Sequence, residues 1–140
     1  MVILAVDVGK RRTGVAVCDK DEILAYPKAA ILEHNAERIA LRIIELIGEH
    51  KAEILVVGLP LNMDGTEGES AMFSREIADL ISEKSEIKIE FMDERLSTVM
   101  AHQKLHETGL KMKNHKDKID SQAAVIILEN FLRKRKNLAQ

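Results

Sequence analysis

The chain is poor in aromatic residues and holds a single cysteine. Aromatics make up 3% of its 140 residues, with no tryptophan and one tyrosine. So few rings offer little platform on which the bases of a single strand could stack. The lone Cys18 excludes an internal disulfide and is typical of a reducing compartment.

Long apolar runs are also missing. The longest, such as residues 2–6 and 54–57, fall far short of the ~20 residues that a membrane span needs. Residues 1–6 lack the basic and long apolar regions of a signal peptide. Hydrophobic residues at 46% and charged residues at 31% exclude a disordered chain. No linker or repeat divides the sequence, so we expect one cytoplasmic domain over residues 1–140 that does not bind membranes.

The small net charge of -2 hides an asymmetry. Residues 1–110 carry 13 Lys and Arg against 20 Asp and Glu, whereas residues 111–140 carry 8 against 3. A basic end on an acidic body indicates an anionic partner at one edge. The basic run 133–136 also has a simpler explanation, because cations are favourable at the C-terminus of any helix.

The pattern predicts a mixed α/β fold. Apolar, β-branched runs at 2–8, 13–18 and 22–31 are joined by short turns, which connect antiparallel neighbours. Pro27 places the third run at a sheet edge. Strands are then predicted at 54–57 and 87–92. Helical periodicity predicts helices before, between and after them, at 35–50, 69–84, 97–108 and 118–136. Right-handed crossovers make these later strands parallel, which completes a five-stranded sheet flanked by helices.

Three acidic positions are poorly explained as solvated surface. Asp7 interrupts the most apolar strand, and Asp120 shares a helical stripe with Ala124, Ile127 and Phe131. The third position is Asp93 with Glu94, at the carboxyl end of the last strand, where ligands bind in open α/β sheets. A buried, unpaired carboxylate is costly unless a cation or hydrogen-bond donors compensate it.

Each acid also has an ordinary structural explanation. Asp7 could accept hydrogen bonds from the following turn, Asp120 could favour a helix N-terminus, and Asp93 could cap the next helix. Taken together, the three positions suit a divalent cation held by oxygen ligands, Mg²⁺ or Mn²⁺ rather than Zn²⁺. His102 and His106 lie one helical turn apart, but their charged helix favours exposure over zinc binding.

Glycines follow two of the strands. Gly9 and Gly14 flank a turn whose backbone can approach a ligand closely. Residues 58–68 form a segment long enough to be a functional loop, and it ends at a helix N-terminus that favours anions.

The sequence resembles the YqgF (RuvX) family, nucleases of the RNase H-like fold related to the resolvase RuvC. The resemblance rests on residues 7–16, 57–60, 63–68, 93–98 and 118–124, in family order over nearly the whole chain. It implies metal-dependent hydrolysis of nucleic-acid phosphodiester bonds. Family members are assigned either to 5′-end maturation of the small-subunit ribosomal RNA precursor, pre-16S rRNA, or to cleavage of Holliday junctions.

The resemblance also implies roles for individual residues. Asp7 and Asp120 match catalytic aspartates, and the middle acid maps to Asp93 or Glu94. We expect two metal ions about 3.5–4 Å apart, bridged by Asp7 and completed by Asp120 and Glu94 or Asp93. The residues expected to hold backbone phosphates are Lys10, Arg11, Arg12, Arg95 and Lys118.

The expected substrate is structured RNA in a ribosomal precursor particle, with branched DNA as the alternative. A resolvase cuts two strands symmetrically and should be a two-fold dimer. No apolar helix stripe is reserved for such a contact, so we expect a monomer or weak homodimer, which favours RNA. A non-catalytic nucleic-acid-binding module is a further alternative, but it would not need all three acids. A phosphotransferase related to actin would need two such domains.

Overall fold

The computed structural model describes residues 1–93 and 121–139, which form eight strands and helices. In chain order these are β1 (Ile3–Asp7), β2 (Thr13–Cys18), β3 (Ala25–Ile31), α1 (Ala36–His50), β4 (Ile54–Leu59), α2 (Glu69–Lys84), β5 (Lys88–Asp93) and α3 (Gln122–Ala139). Within the described ranges no helix is both long and apolar enough to cross a membrane.

The strands form one mixed sheet in the order β3-β2-β1-β4-β5. β1 pairs antiparallel with β2 and parallel with β4, and β5 runs parallel to β4. The predicted antiparallel meander followed by parallel strands is confirmed. β3 lies at an edge of the sheet, as predicted from Pro27, whose ring nitrogen has no hydrogen to donate to a further strand.

Both faces of the sheet are covered by helices. Leu4 and Val6 of β1 pack toward α1 and α2, whereas Ile3 and Ala5 pack toward α3. We call these two surfaces the α1/α2 face and the α3 face. All four side chains are fully buried, which explains why β1 reads as a continuous apolar run rather than an alternating one.

The third strand begins later than its pattern predicted. The expected start was residue 22, but β3 begins at Ala25. The Asp19 carboxylate accepts hydrogen bonds from the backbone N–H groups of Ile23 and Leu24, both at 2.8 Å, and Glu22 has a φ of 58°. These contacts hold residues 19–24 in a turn, because a short acidic side chain can satisfy nearby backbone donors.

The helices agree more closely with their predicted limits. α2 spans 69–84 as predicted, and α1 begins after Asn35, whose side chain accepts a hydrogen bond from the Arg38 N–H at 3.1 Å. α3 begins at Gln122 and continues to Ala139, three residues beyond its predicted end. Its predicted first residues, 118–120, and the helix predicted at 97–108 lie outside the described residues. β4 ends two residues later than predicted, and β5 is shifted by one.

An ion-pair network joins α3 to the turn between β2 and β3. The Glu22 carboxylate accepts hydrogen bonds from Arg135 at 2.8 and 3.3 Å and from the amino group of Met1 at 3.1 Å. The same amino group donates to the carbonyl oxygen of Lys20 at 2.7 Å. The hydrogen bonds from Arg135 lower the pKa of the Glu22 carboxyl, so the network is stabilised in its ionised form.

Replacing Glu22 with glutamine should lower the free energy of unfolding at neutral pH by about 1 kcal/mol, because Arg135 loses its ionised partner in a partly exposed pair. The pKa of this carboxyl is lower in the folded than in the unfolded chain. Its contribution is therefore complete above the unfolded value of 4.5 and is lost as the pH falls through the folded value. Urea unfolding at several pH values should show the difference between the two proteins shrinking in acid.

The matched control is Glu45→Gln on α1, because the pair between Glu45 and Arg42 is exposed and joins adjacent turns of one helix. This variant should lose less stability than Glu22→Gln. Equal losses in the two variants, or a difference that persists in acid, would contradict the role given to Glu22.

Candidate active site

Asp7 is the last residue of β1, and its side chain is half-buried at the end of the central strand. Within the described residues, its carboxylate accepts no hydrogen bond and forms no ion pair. The predicted alternative, in which the following turn donates to Asp7, is therefore not found there. Both carboxylate oxygens are available to a cation as far as the described residues extend, and oxygen donors suit a hard divalent ion.

The positions beside Asp7 on the two neighbouring strands are glycines. Alternation along β1 puts Asp7 on the α3 face, and its partner on β2 is Gly14. On β4, Gly58 follows the residue that pairs with Val6. Because neither glycine has a side chain, the sheet leaves room beside the carboxylate for an ion or a phosphate oxygen.

Asp93 lies at the same edge of the sheet but on the other face. Its strand, β5, runs parallel to β4, as β1 does, so the carboxyl ends of all three meet at one edge. Ile89 packs against the α1/α2 core, and the Arg75 guanidinium of α2 lies 4.8 Å from the centre of the Phe91 ring. By alternation, Asp93 shares the α1/α2 face with these two residues, and its side chain is exposed. The structure thus separates Asp93 from Asp7 by the thickness of the sheet.

The other predicted site residues are not among those described. Glu94, Arg95, Lys118 and Asp120 all lie between residues 93 and 121. Within residues 1–93 and 121–139, no three His, Cys, Asp or Glu side chains are grouped to hold a metal. The stripe predicted to continue from Asp120 is present, because Ala124, Ile127 and Phe131 are buried on the α3 face.

Cys18, at the end of β2, packs in the core. It is 4% exposed and belongs to the core beneath α3. Burial raises the pKa of its thiol, which keeps the group neutral. The neutral, buried thiol is a poor metal ligand.

Three of the predicted phosphate-binding cations follow Asp7 in the turn between β1 and β2. Lys10, Arg11 and Arg12 are exposed, and a Cβ at Gly9 would overlap the carbonyl oxygen of Arg12, so the turn requires glycine. Lys10 Nζ lies 3.4 Å from a carboxylate oxygen of Glu69, at the start of α2. Both side chains are well exposed, so this pair adds little stability and Lys10 can exchange it for a phosphate.

The loop between β4 and α2 is held by its own hydrogen bonds. The backbone N–H of Asn62 donates to the carbonyl of Thr66 at 2.8 Å, and the two side chains bond at 2.9 Å. The Thr66 hydroxyl donates to the Asp64 carboxylate at 2.6 Å, and Gly65 has a φ of 88°. The segment predicted as a functional loop is thus an ordered turn at the same edge of the sheet as Asp7.

A second contact, not predicted from the sequence, attaches this loop to α2 and β5. The Glu67 carboxylate accepts two hydrogen bonds from Arg75, at 2.6 and 2.9 Å, and the same guanidinium lies over Phe91. The hydrogen bonds lower the pKa of the Glu67 carboxyl. The partners are eight residues apart, so neither helical nor strand periodicity predicts the pair. The sequence indicates it only in that arginine is the residue type that can stack on a ring and bind a carboxylate with two hydrogen bonds.

Ser121 makes another contact that the sequence did not reveal. Its hydroxyl donates to the carbonyl of Lys28 on β3 at 2.6 Å and accepts from the backbone N–H of Val15 on β2 at 3.0 Å. The pairing of β2 with β3 shifts register between Thr13 and Val15, so the hydroxyl bridges the strands at an irregularity. The residue is fully buried and directly precedes α3.

A family model matches residues 1–134 of the chain; the family is RuvX, described as a Holliday junction resolvase. The chain belongs to the RuvX family. The resemblance predicted from five sequence segments is confirmed.

Relatives of this RuvX chain share nearly its whole length. A Chloroflexus aurantiacus protein named "Putative pre-16S rRNA nuclease" is 42% identical over 136 residues, which cover 97% of this chain and 89% of that protein. A Clostridium botulinum protein of the same name is 39% identical over 132 residues, which cover 94% of this chain and 96% of that protein.

Solved structures of resolvases share the fold. Thermus thermophilus RuvC in complex with a Holliday junction substrate matches with a TM-score of 0.62 at 14% identity, over 97% of this chain and 96% of that one. The yeast mitochondrial Holliday junction resolvase Ydc2 matches with a TM-score of 0.60 at 10% identity, over 98% of this chain and 80% of its own. The RNase H-like fold of this RuvX chain is thereby confirmed.

Replacing Arg75 with methionine should loosen the loop, because the stem remains against Phe91 while both hydrogen bonds to Glu67 are lost. We expect amide hydrogens of residues 61–67 to exchange about two- to fivefold faster, as for the loss of one partly exposed pair. Hydrogen exchange read by mass spectrometry measures this directly.

The control for this variant is Arg42→Met on α1, because Arg42 also pairs with two glutamates but holds no loop. Its loop exchange should equal that of the unmodified protein. Unchanged exchange in Arg75→Met would show that the internal hydrogen bonds of the loop suffice without the Glu67 contact.

Proposed function

We propose that this RuvX protein is a metal-dependent endonuclease that hydrolyses phosphodiester bonds in structured RNA. The observation that carries the proposal is the Asp7 carboxylate, held at the end of a fully buried strand between two glycine-bearing strands. A binding module without catalysis has no need of a carboxylate there. Such a charge would repel phosphates and would cost stability in apolar surroundings.

Asp7, Glu94 and Asp120 would hold the divalent ions. We propose two ions, either Mg²⁺ or Mn²⁺. Asp7 fits this role because its oxygens have no competing partner within the described residues and because the positions beside it on β2 and β4 are glycines. Divalent ions bound there would lower the pKa of the attacking water and would stabilise the negative charge on the leaving oxygen.

The chain's own cations orient the substrate. Lys10, Arg11 and Arg12 lie three to five residues after Asp7, in the turn between β1 and β2, so a phosphate held by this turn would lie near the carboxylate. Such contacts displace counterions from the nucleic acid, so binding should weaken as salt is added. Arg95 and Lys118 would add further contacts to backbone phosphates.

Strand alternation favours Glu94 over Asp93 as the middle ligand. Asp7 is on the α3 face, whereas Asp93 is on the α1/α2 face with Phe91. A carboxylate on the opposite side of the sheet cannot share an ion with Asp7. In the sequence, Glu94 lies two residues after Met92, which packs on the α3 face, so a continued alternation would favour Glu94.

Two observations favour a structured RNA substrate, specifically the ribosomal RNA precursor. The relatives that align over nearly the whole chain carry the name of a pre-16S rRNA nuclease. Few aromatic residues are available to stack the bases of a single strand, which favours recognition of a folded region by its shape. The description of the family as a resolvase makes branched DNA the second substrate to test.

The isosteric variant Asp7→Asn should lose cleavage, because it removes the charge that binds the metal and keeps the shape. Both proteins are incubated with precursor small-subunit RNA and with a synthetic four-way DNA junction, in Mg²⁺, Mn²⁺ or EDTA. We expect metal-dependent cutting of the RNA by the unmodified protein, and a loss of about a hundredfold or more in the variant. In EDTA, Asp7→Asn should be at least as resistant to urea as the unmodified protein.

Asp79→Asn is the matched control, since Asp79 is an exposed acid on α2, and it should cut normally. Cutting of the junction alone would replace RNA with branched DNA as the substrate. Binding of either nucleic acid without cutting, unchanged in Asp7→Asn, would overturn the nuclease proposal in favour of a binding module.

A second pair of variants tests the choice of middle ligand. Glu94→Gln should lose at least about a hundredfold in cleavage, whereas Asp93→Asn should stay within about tenfold of the unmodified protein. Single-turnover cleavage of the same RNA measures both. The reverse order of activities would assign the ligand to Asp93 and would require β5 to break its alternation.

A further inference from the structure

The basic run near the end of α3 has no role in the proposed active site. Arg133, Lys134 and Lys136 are exposed and form no ion pair with any described residue. Asp21 and Glu129 border the groove beside the run, but neither pairs with these cations. We call the three residues the distal cations. Three like charges on about one helical turn are thus available to an anionic partner.

The C-terminus of the helix explains only part of this charge. Cations are favoured within about the last turn of a helix, and of the distal cations only Lys136 lies in the last turn of α3. Arg133 and Lys136 are also three residues apart, a spacing at which like charges on a helix repel each other and destabilise it. A bound polyanion would relieve this repulsion.

The turn of α3 that carries the distal cations is fixed without a partner. Phe131 and Leu132 are buried against the sheet. Arg135 donates to the Glu22 carboxylate at 2.8 and 3.3 Å, and its guanidinium lies 5.9 Å from the centre of the Phe131 ring. A partner therefore meets cations on an ordered backbone, which reduces the entropy lost on binding.

α3 connects the distal cations to the candidate site along one face of the sheet. Just before its start, the Ser121 hydroxyl accepts a hydrogen bond from Val15. Val15 follows Gly14, the residue paired with Asp7. At 1.5 Å per residue, Lys134 is roughly 20 Å further along the helix. A polyanion that lies along α3 can therefore reach both ends, although a single phosphate cannot.

We propose that the distal cations bind the phosphate backbone of a duplex arm of the substrate, about six base pairs from the bond that is cut. Successive base pairs of a duplex advance about 3.4 Å along its axis, so a distance of roughly 20 Å corresponds to about six of them. Contacts of this kind position a nucleic acid without reading its sequence. This inference rests on the proposed function, in which the bond that is cut lies beside Asp7.

The test measures the binding of RNA hairpins to the full-length protein by fluorescence anisotropy, in EDTA so that no RNA is cut. One hairpin has a stem of about 16 base pairs. The other has a stem of about 5 base pairs, which is too short to extend from the candidate site to the distal cations.

The distal variant combines Arg133→Gln, Lys134→Gln and Lys136→Gln. It should bind the long stem about tenfold more weakly or worse, and the slope of its logarithmic affinity against logarithmic salt concentration should be smaller by about 2 to 3, as for three lost phosphate contacts. Its affinity for the short stem should stay within about threefold of that of the unmodified protein.

The matched control combines Arg38→Gln, Lys51→Gln and Lys84→Gln. It removes the same number and types of charge from exposed positions on α1, at the C-cap of α1 and on α2, which pack on the opposite face of the sheet. Its affinity for the long stem should stay within about threefold of that of the unmodified protein. Urea unfolding should show the distal variant to be at least as stable as this control, because neutral side chains do not repel each other.

The outcomes separate this inference from the proposed function. Equal losses in the distal variant and the control, or an equal loss on both stems, would overturn the role of the distal cations and leave the nuclease proposal intact. Failure of the unmodified protein to bind the long stem would also overturn the inference, whereas metal-dependent cleavage would still decide the nuclease proposal. Unchanged RNA binding in the distal variant, with loss of binding to phosphatidylserine vesicles, would assign these cations to a membrane surface instead.

Discussion

Burial of β1 on both sides is the constraint on which the rest of the molecule depends. The strand pairs with β2 and β4, and its side chains alternate between the core beneath α1 and α2 and the core beneath α3. With both faces covered, a polar side chain can reach solvent only at the end of the strand. Asp7 occupies that end, where it pairs with Gly14 of β2 and directly follows Val6, which pairs with β4. A carboxylate is thus fixed in position without being removed from the reach of a cation.

Features of the fold that local patterns encode were predictable from the sequence. Short turns require antiparallel neighbours, and Pro27 requires an edge, so the order of the first three strands followed from the chain alone. The helix at 69–84 was predicted to the residue because its apolar spacing is undisturbed. The start of β3 was predicted too early because the hydrogen bonds of Asp19 to the following turn leave no periodic signal.

The candidate site was predictable only in part. An acid within an apolar run identified Asp7, and the position after an apolar strand identified Asp93 and Glu94. Strand alternation in the sequence could not show whether Asp93 or Glu94 shares a face of the sheet with Asp7. That depends on which helices pack on each side of the sheet. The bridges made by Ser121 and by Arg75 were unpredictable for a related reason. They join residues that approach each other only after the sheet and helices have assembled, so no local pattern records them.

The direction of α3 determines which cations can act near Asp7. Ser121 lies at its start beside β2, while Arg135 near its end is paired with Glu22 in the turn between β2 and β3. At 1.5 Å per residue, these two positions are roughly 20 Å apart. One phosphate cannot contact both ends, so the basic run at 133–136 is remote from the nuclease site proposed at Asp7. Close attraction for a phosphate must come from the turn after β1 and from cations held by the acids themselves. On a body with more acids than bases, a divalent ion bound at the proposed site would therefore contribute to substrate affinity as well as to hydrolysis.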